Sequence, residues 1–250
     1  MRAALIPPKG YEAWALESTI HLVLPLAPLL KSTSYLHTYA TARKRGDYII
    51  LDNGCAEGEL VDGATLINFA RYIRANEIVA PDVMSDAGET LEATVSFLRD
   101  YPEASDYNIM AVLQGSTPED REFLLEQFVK HDAITAIGIP KVHVTEEGSE
   151  VRKDIARMIH KVSKDRFQIH LLGLSKAYPT EMRDVNFRAG SIRSMDSAQP
   201  FKVTELNHLL VSDPDATRRP TYFTHKKEVN AATLRMNINT FKEWAETSEG

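Results

Sequence analysis

The sequence predicts a single-domain (β/α)8 barrel of the TIM type over residues 1–250. Three observations predict it. Short apolar runs alternate with amphipathic stretches at roughly 30-residue spacing, which is the pattern of parallel βαβ units. Nearly every run ends in a polar residue: Asp52, Asp82, Gln114, Lys141, Ser175 and Asp196. A closed barrel brings such ends to one mouth, whereas an open sheet spreads them along an edge. The length, 250 residues, suits one barrel domain.

The elements are taken in chain order. Strands are expected at His21–Leu26, Tyr48–Asp52, Glu77–Asp82, Ile109–Gln114, Ala133–Ile139, Gln168–Ser175 and Ser191–Asp196, each rich in Ile, Leu or Val. Helix faces appear at Ala64–Ile73, Leu91–Leu98, Phe123–Phe128 and Val151–Val162. Thr117-Pro118-Glu119-Asp120 reads as a helix start, with a capping hydroxyl, proline at the first turn and acids behind it. Asp62 and Ser85 are further cap candidates. Thr221–Thr224 and Ala231–Trp244 are expected to supply the eighth strand and its helix. Residues 1–20 receive no assignment. No tract rich in Gly or Ser divides the chain into two domains.

Composition narrows the function class. Hydrophobic residues make 43% and charged residues 26%, which is globular and not disordered or fibrous. Lys plus Arg is 29 and Asp plus Glu is 35, a net charge of −6. A mild acidic balance argues against generic coating of nucleic acid but leaves local basic patches open. The single cysteine, Cys55, excludes an internal disulfide and any zinc site built on two or more thiolates. His21–Leu30 is broken by Pro25 and Pro28 and is too short to span a bilayer. With no signal-peptide pattern either, an intracellular, cytoplasmic protein without membrane contact is expected. Oligomeric state is not legible.

The sequence has no Walker loop, GxGxxG, HExxH or GxSxG. Its chemistry-bearing residues are carboxylates at strand ends: Asp52 after Ile49-Ile50-Leu51, Asp82 after Ile78-Val79-Ala80-Pro81, and Asp196 after Ile192-Arg193-Ser194-Met195. An acid leaving an apolar strand is partly desolvated, which shifts its protonation. Two such acids can divide the work of glycosyl transfer, one as nucleophile and one as acid/base. Gln114-Gly115 offers a donor and an acceptor for a heterocycle edge, and glycine permits close backbone approach. Plainer roles also fit. Asn53-Gly54 is a turn signal, Asp82 and Asp196 can cap helices, and His170 reads as a hydrogen-bonded core residue.

Taken together, Asp52-Asn53-Gly54, Ala80-Pro81-Asp82, Val112-Leu113-Gln114-Gly115, Ala136-Ile137-Gly138, Leu171-Leu172-Gly173 and Met195-Asp196-Ser197-Ala198-Gln199-Pro200 resemble the ordered barrel motifs of tRNA-guanine transglycosylases. The resemblance covers roughly residues 48–201. It implies exchange of guanine for a 7-deazaguanine base with the phosphodiester chain intact. Asp196 resembles the nucleophile and Asp52 the acid/base. Asp82, Gln114 and Gly115 resemble the residues at the purine's polar edge. Gly138, Leu172 and Gly173 resemble the lining of the base pocket. The tRNA enzymes carry a zinc subdomain of three Cys and one His, which a chain with only Cys55 cannot build. The compact chain is more similar to the DNA-directed branch known from phages and bacterial DNA-modification clusters.

The resemblance therefore implies DNA, alternatively tRNA, and a free 7-deazaguanine (preQ0-like) base as partners, and the host cytoplasm if phage-encoded. This chemistry needs no cofactor and no metal. Candidate phosphate contacts are Lys141, Lys176, Arg188, Arg193, Arg218, Arg219, Lys226 and Lys227, with Tyr222 and Phe223 for stacking. Arg43-Lys44-Arg45 reads instead as a helix end at the barrel bottom. Two other classes remain open: a nucleoside or glycoside hydrolase on the same carboxylates, and a barrel that only binds.

Overall fold

The structure is a computed structural model. It describes residues 1–148, 150–174, 192–211, 223 and 228–246. Eight parallel strands form one sheet: β1 (Arg2–Leu5), β2 (Ile20–Val23), β3 (Tyr48–Leu51), β4 (Glu77–Val79), β5 (Asn108–Val112), β6 (Ile134–Pro140), β7 (Gln168–Leu172) and β8 (Ile192–Ser197). Their order is β1-β8-β7-β6-β5-β4-β3-β2. β1 also packs against β2, so the sheet curls into a nearly closed barrel. The expected (β/α)8 barrel is the observed fold.

Helices fill the connections: α1 (Ala27–Leu30), α2 (Thr33–Arg45), α3 (Gly63–Ile73), α4 (Ala87–Asp100), α5 (Pro118–Phe128), α6 (Val142–Glu147), α7 (Val151–Ser163), α8 (Gln199–Glu205) and α9 (Ala231–Glu246). Their start signals act as the sequence predicts at two places. Asp62 caps α3 by accepting from Thr65 N, and Thr117 with Asp120 forms a reciprocal capping box on α5. At α4 the cap is Asp86, which accepts from Glu89 N, and not Ser85. Ser85 instead takes a positive φ of 60° in the turn before it. The basic end of α2 is structural: Arg45 donates to the carbonyls of Leu16 and Ser18 and to Asp47.

The eighth strand is a correction. It is β1, near residue 1, and not Thr221–Thr224, a segment that lies outside the described residues except for Phe223 in a turn. Arg2-Ala3-Ala4-Leu5 carries one large apolar side chain, so it gives no strong strand signal. It qualifies because Ala3, Ala4 and Leu5 are buried between neighbours on both sides.

The core is the barrel interior plus the strand-facing side of the helices. Leu66, Ile67, Ala70 and Ile73 of α3 and Ile155, Ala156 and Ile159 of α7 are buried at helical spacing. Burying a Leu or Ile of this kind stabilises by about 1.5–3 kcal/mol. Two register shifts bear on the placement of side chains. In β8, Ile192 sits level with Ile169 but Ser194 with His170, so Arg193 is an extra residue. In β6, Ile134 sits level with Ile109 but Ala136 with Met110, so Thr135 is extra. Such bulges re-aim side chains.

Candidate active site

The C-terminal ends of the strands converge on a cavity of ≈ 210 Å³. Every strand contributes to its wall: Ile6 after β1, Leu24 after β2, Asp52 after β3, Asp82 after β4, Gln114 after β5, Lys141 after β6, Gly173 after β7 and Asp196 in β8. This is the face on which such barrels build their sites. Asp52, Asp82 and Asp196 share it as the sequence predicts, and all three are buried.

Each carboxylate is held differently. Asp196 Oδ1 accepts from Gly173 N at 3.0 Å and from His170 Nε2 at 3.0 Å. No described residue donates to its Oδ2. Asp52 Oδ1 accepts from Asn53 N at 2.9 Å. Burial pushes the Asp52 carboxyl well above the ordinary range, and the charges of Glu57, Asp196 and Asp82 push the same way. Asp82 is also raised, by burial, against the opposing hydrogen bonds from Gln114 and Asn53.

Those two bonds define the middle of the site. Asn53 Nδ2 donates to Asp82 Oδ1 at 2.6 Å, and Gln114 Nε2 donates to Asp82 Oδ2 at 2.5 Å. Gln114 Oε1 in turn accepts from Ser85 N at 3.0 Å. Gln114 thus spends its amide on fixing Asp82 and the turn after β4. Asn53 does more than turn the chain, since it also donates to Ala80 O at 2.7 Å and accepts from Cys55 N at 2.8 Å. Residue type and spacing point only to its turn role.

The expected pocket glycines have separate jobs. Gly173 lines the mouth with φ of 72° and offers its N–H to Asp196. Leu172 also lines the mouth, while Gly138 lies beneath it. A Cβ on Gly138 would stand 2.7 Å from Leu172 Cδ1 and 3.0 Å from Met110 Sδ, so the missing side chain makes room for the floor. Gly115 does not line the cavity. With φ of 122°, its absent side chain would point at Asp120 Cβ, 2.8 Å away, so it serves the entry to α5.

The basic residues divide. Lys141 lines the mouth, joined by Lys202, which no sequence signal singles out. Arg193 is a correction: it is the second residue of β8, so it lies at the N-terminal end of the strand, away from the mouth. There it grips Glu77 through two bonds of 2.7 and 2.8 Å and stacks over Tyr48. It is a buried structural ion pair, not a mouth-side phosphate contact. Lys176, Arg188, Arg218, Arg219, Tyr222, Lys226 and Lys227 lie outside the described residues. Phe223 is buried against the mouth.

Among the described residues, no group of three His, Cys, Asp or Glu side chains is arranged to hold a metal ion. Nor, among them, is any helix long and apolar enough to cross a membrane. No family model matches the chain, and no curated protein matches it significantly.

Proposed function

We propose that the chain is a base-exchange transglycosylase that replaces guanine in DNA by a 7-deazaguanine, preQ0-like base through a covalent Asp196–sugar intermediate. The observation that carries this reading is the unequal pair in one mouth. Asp196 has one oxygen bound by two N–H donors and the other without a donor among the described residues, while Asp52 is biased towards its protonated form. That is a nucleophile and an acid/base set apart by environment.

The target nucleotide leaves the stack so that C1′ reaches the mouth. Asp196 Oδ2 attacks C1′ as the C1′–N9 bond breaks. The bonding pair departs with guanine, which takes a proton from Asp52. The incoming base returns its N9 proton to Asp52 and attacks C1′, and the C1′–Oδ2 bond breaks. Two inversions give net retention. Asp82, held by Asn53 and Gln114, faces the purine's polar edge with its remaining lone pairs. Lys141 and Lys202 supply positive charge near the phosphates, which the carboxylates otherwise repel.

The test is incubation with DNA or tRNA and a panel of 7-deazaguanines, followed by digestion to nucleosides and mass spectrometry. A modified deoxynucleoside that is absent with Asp196→Ala supports the reading. Modification of tRNA alone moves it to the tRNA branch, and release of guanine without incorporation makes the protein a hydrolase. An Asp196→Ala variant that exchanges normally ends it.

A further inference from the structure

His170 lies wholly inside the barrel, and a buried imidazole needs a reason. Its two nitrogens are both engaged. Nδ1 is 2.7 Å from Ser194 Oγ, and Nε2 is 3.0 Å from Asp196 Oδ1. The bulge at Arg193 creates this contact by bringing Ser194 level with His170, which leaves Asp196 two residues further up the same face of β8.

The proton positions come from donor counting. A guanidinium has no acceptor, so the Arg193 Nε contact at 3.3 Å makes Ser194 Oγ an acceptor there. The serine's own proton is then free for His170 Nδ1. Because the Asp196 carboxylate only accepts, the imidazole carries its proton on Nε2 and donates it there, which leaves Nδ1 to accept from Ser194. Arg193 is in turn fixed by Glu77 at the far end of the barrel. A continuous buried chain, Glu77–Arg193–Ser194–His170–Asp196, thus runs from the bottom of the barrel to the mouth.

We infer that His170 is a positioning residue for Asp196. Resting on the reaction proposed above, the inference is that His170 and Gly173 N hold Oδ1, select Oδ2 as the attacking atom, and bind the ester carbonyl of the intermediate. When the second base attacks, the C1′–Oδ2 pair returns to the carboxylate. The Nε2–H is already placed to receive that charge, with no reorganisation. The cavity wall on this side therefore acts on the rate of the covalent steps and not on affinity.

The experiment compares base exchange by wild type, His170→Leu and His170→Gln, each checked for cooperative unfolding. Losing one preorganised donor costs about 10²-fold in kcat. His170→Leu is expected to lose on that order in kcat with KM unchanged. His170→Gln, whose amide can replace the Nε2 donor, recovers to within about tenfold of wild type. Equal loss in both variants, or a change in KM alone, overturns the inference. A second measurement needs no turnover. Long-range 1H–15N NMR of the full chain is expected to show the Nε2–H tautomer of His170, with a slowly exchanging proton that is lost in Asp196→Ala. An Nδ1–H tautomer overturns the inference even if exchange is observed. If wild type exchanges no base but the Nε2–H signature is present, the reaction proposal fails while the His170–Asp196 link stands.

Discussion

The side-chain amide of Asn53 donates to Asp82 at 2.6 Å and thereby ties the end of β3 to the end of β4. The bond joins two residues that the sequence pattern places in one mouth but does not connect. Asn53→Ala removes one of the donors that oppose the upward push of burial on Asp82. A buried acceptor left short of a partner costs about 1–3 kcal/mol. Chemical denaturation is expected to show a loss of that size, with Asn53→Asp no better because it supplies no donor. A neutral result for Asn53→Ala would mean that water replaces the amide.

Asp52 gives a pH prediction whose sign is fixed. Its folded-state pKa is raised, so between the unfolded and folded values the folded chain binds the extra proton. Its stability contribution is full below the unfolded value, about 3.9, and declines as pH rises through the folded one. Asp52→Asn removes that penalty. Thermal unfolding is expected to show a higher Tm near neutral pH and a gain that shrinks towards about pH 4. Each ~1 kcal/mol is worth roughly 2–4 °C at this chain length. If the proposed reaction holds, base exchange is expected to be lost in the same variant, so that stability and activity move in opposite directions. A pH-independent Tm difference would contradict the assignment.

Cys55 reports on the same charges. Burial pushes its thiol up to about 12, and the Asp82 and Asp52 carboxylates add to the shift. Only the thiolate reacts, so alkylation by iodoacetamide near about pH 8 is expected to be very slow. Asp82→Asn removes one of those charges and is expected to speed it. Fast labelling of the wild-type chain would show that the mouth is less acidic than its geometry implies.

Arg193 and Glu77 form a pair at the end of the barrel away from the mouth, 10% and 1% exposed in their side chains. Breaking a buried pair on one side typically costs about 3–5 kcal/mol, because the other charge is stranded. Arg193→Ala is expected to lose stability on that scale in urea, and the Arg193→Met/Glu77→Leu double variant much less. Nucleic-acid affinity of the double variant should match wild type. A selective loss of affinity would return Arg193 to a binding role.

How much is legible in the sequence depends on the range of each interaction. Seven strands, the α9 segment and the caps at Asp62 and Thr117 are local signals, written in apolar runs and short spacings. The meeting of Asp52, Asp82 and Asp196 is a matter of topology once the barrel is inferred. β1 escapes such reading because Arg2–Leu5 becomes a strand only through its neighbours. Arg193 is misplaced because it opens β8 where Asp196 closes it, and its inward contacts with Glu77 and Ser194 depend on a one-residue bulge that no sequence pattern marks. The roles of Asn53, Gln114 and His170 depend on partners from other strands, so residue type alone cannot assign them.

The pairing of β1 with β8 sets the order in which the molecule matures. Ala4 lies beside Asp196, its neighbour in the sheet although six strands and the helices between them separate the two in sequence. Contacts of such separation carry a large loop-closure cost and form slowly. During synthesis the first strand waits, its edge unpaired, until the β8 segment has emerged. The wall that carries Asp196 is then bordered on one side by a strand made much earlier and on the other by one made shortly before it. A chain arrested before β8 can collapse and form helices, yet it holds no completed mouth. In a refolding experiment, recovery of the site should coincide with the slowest phase, after most secondary structure has returned.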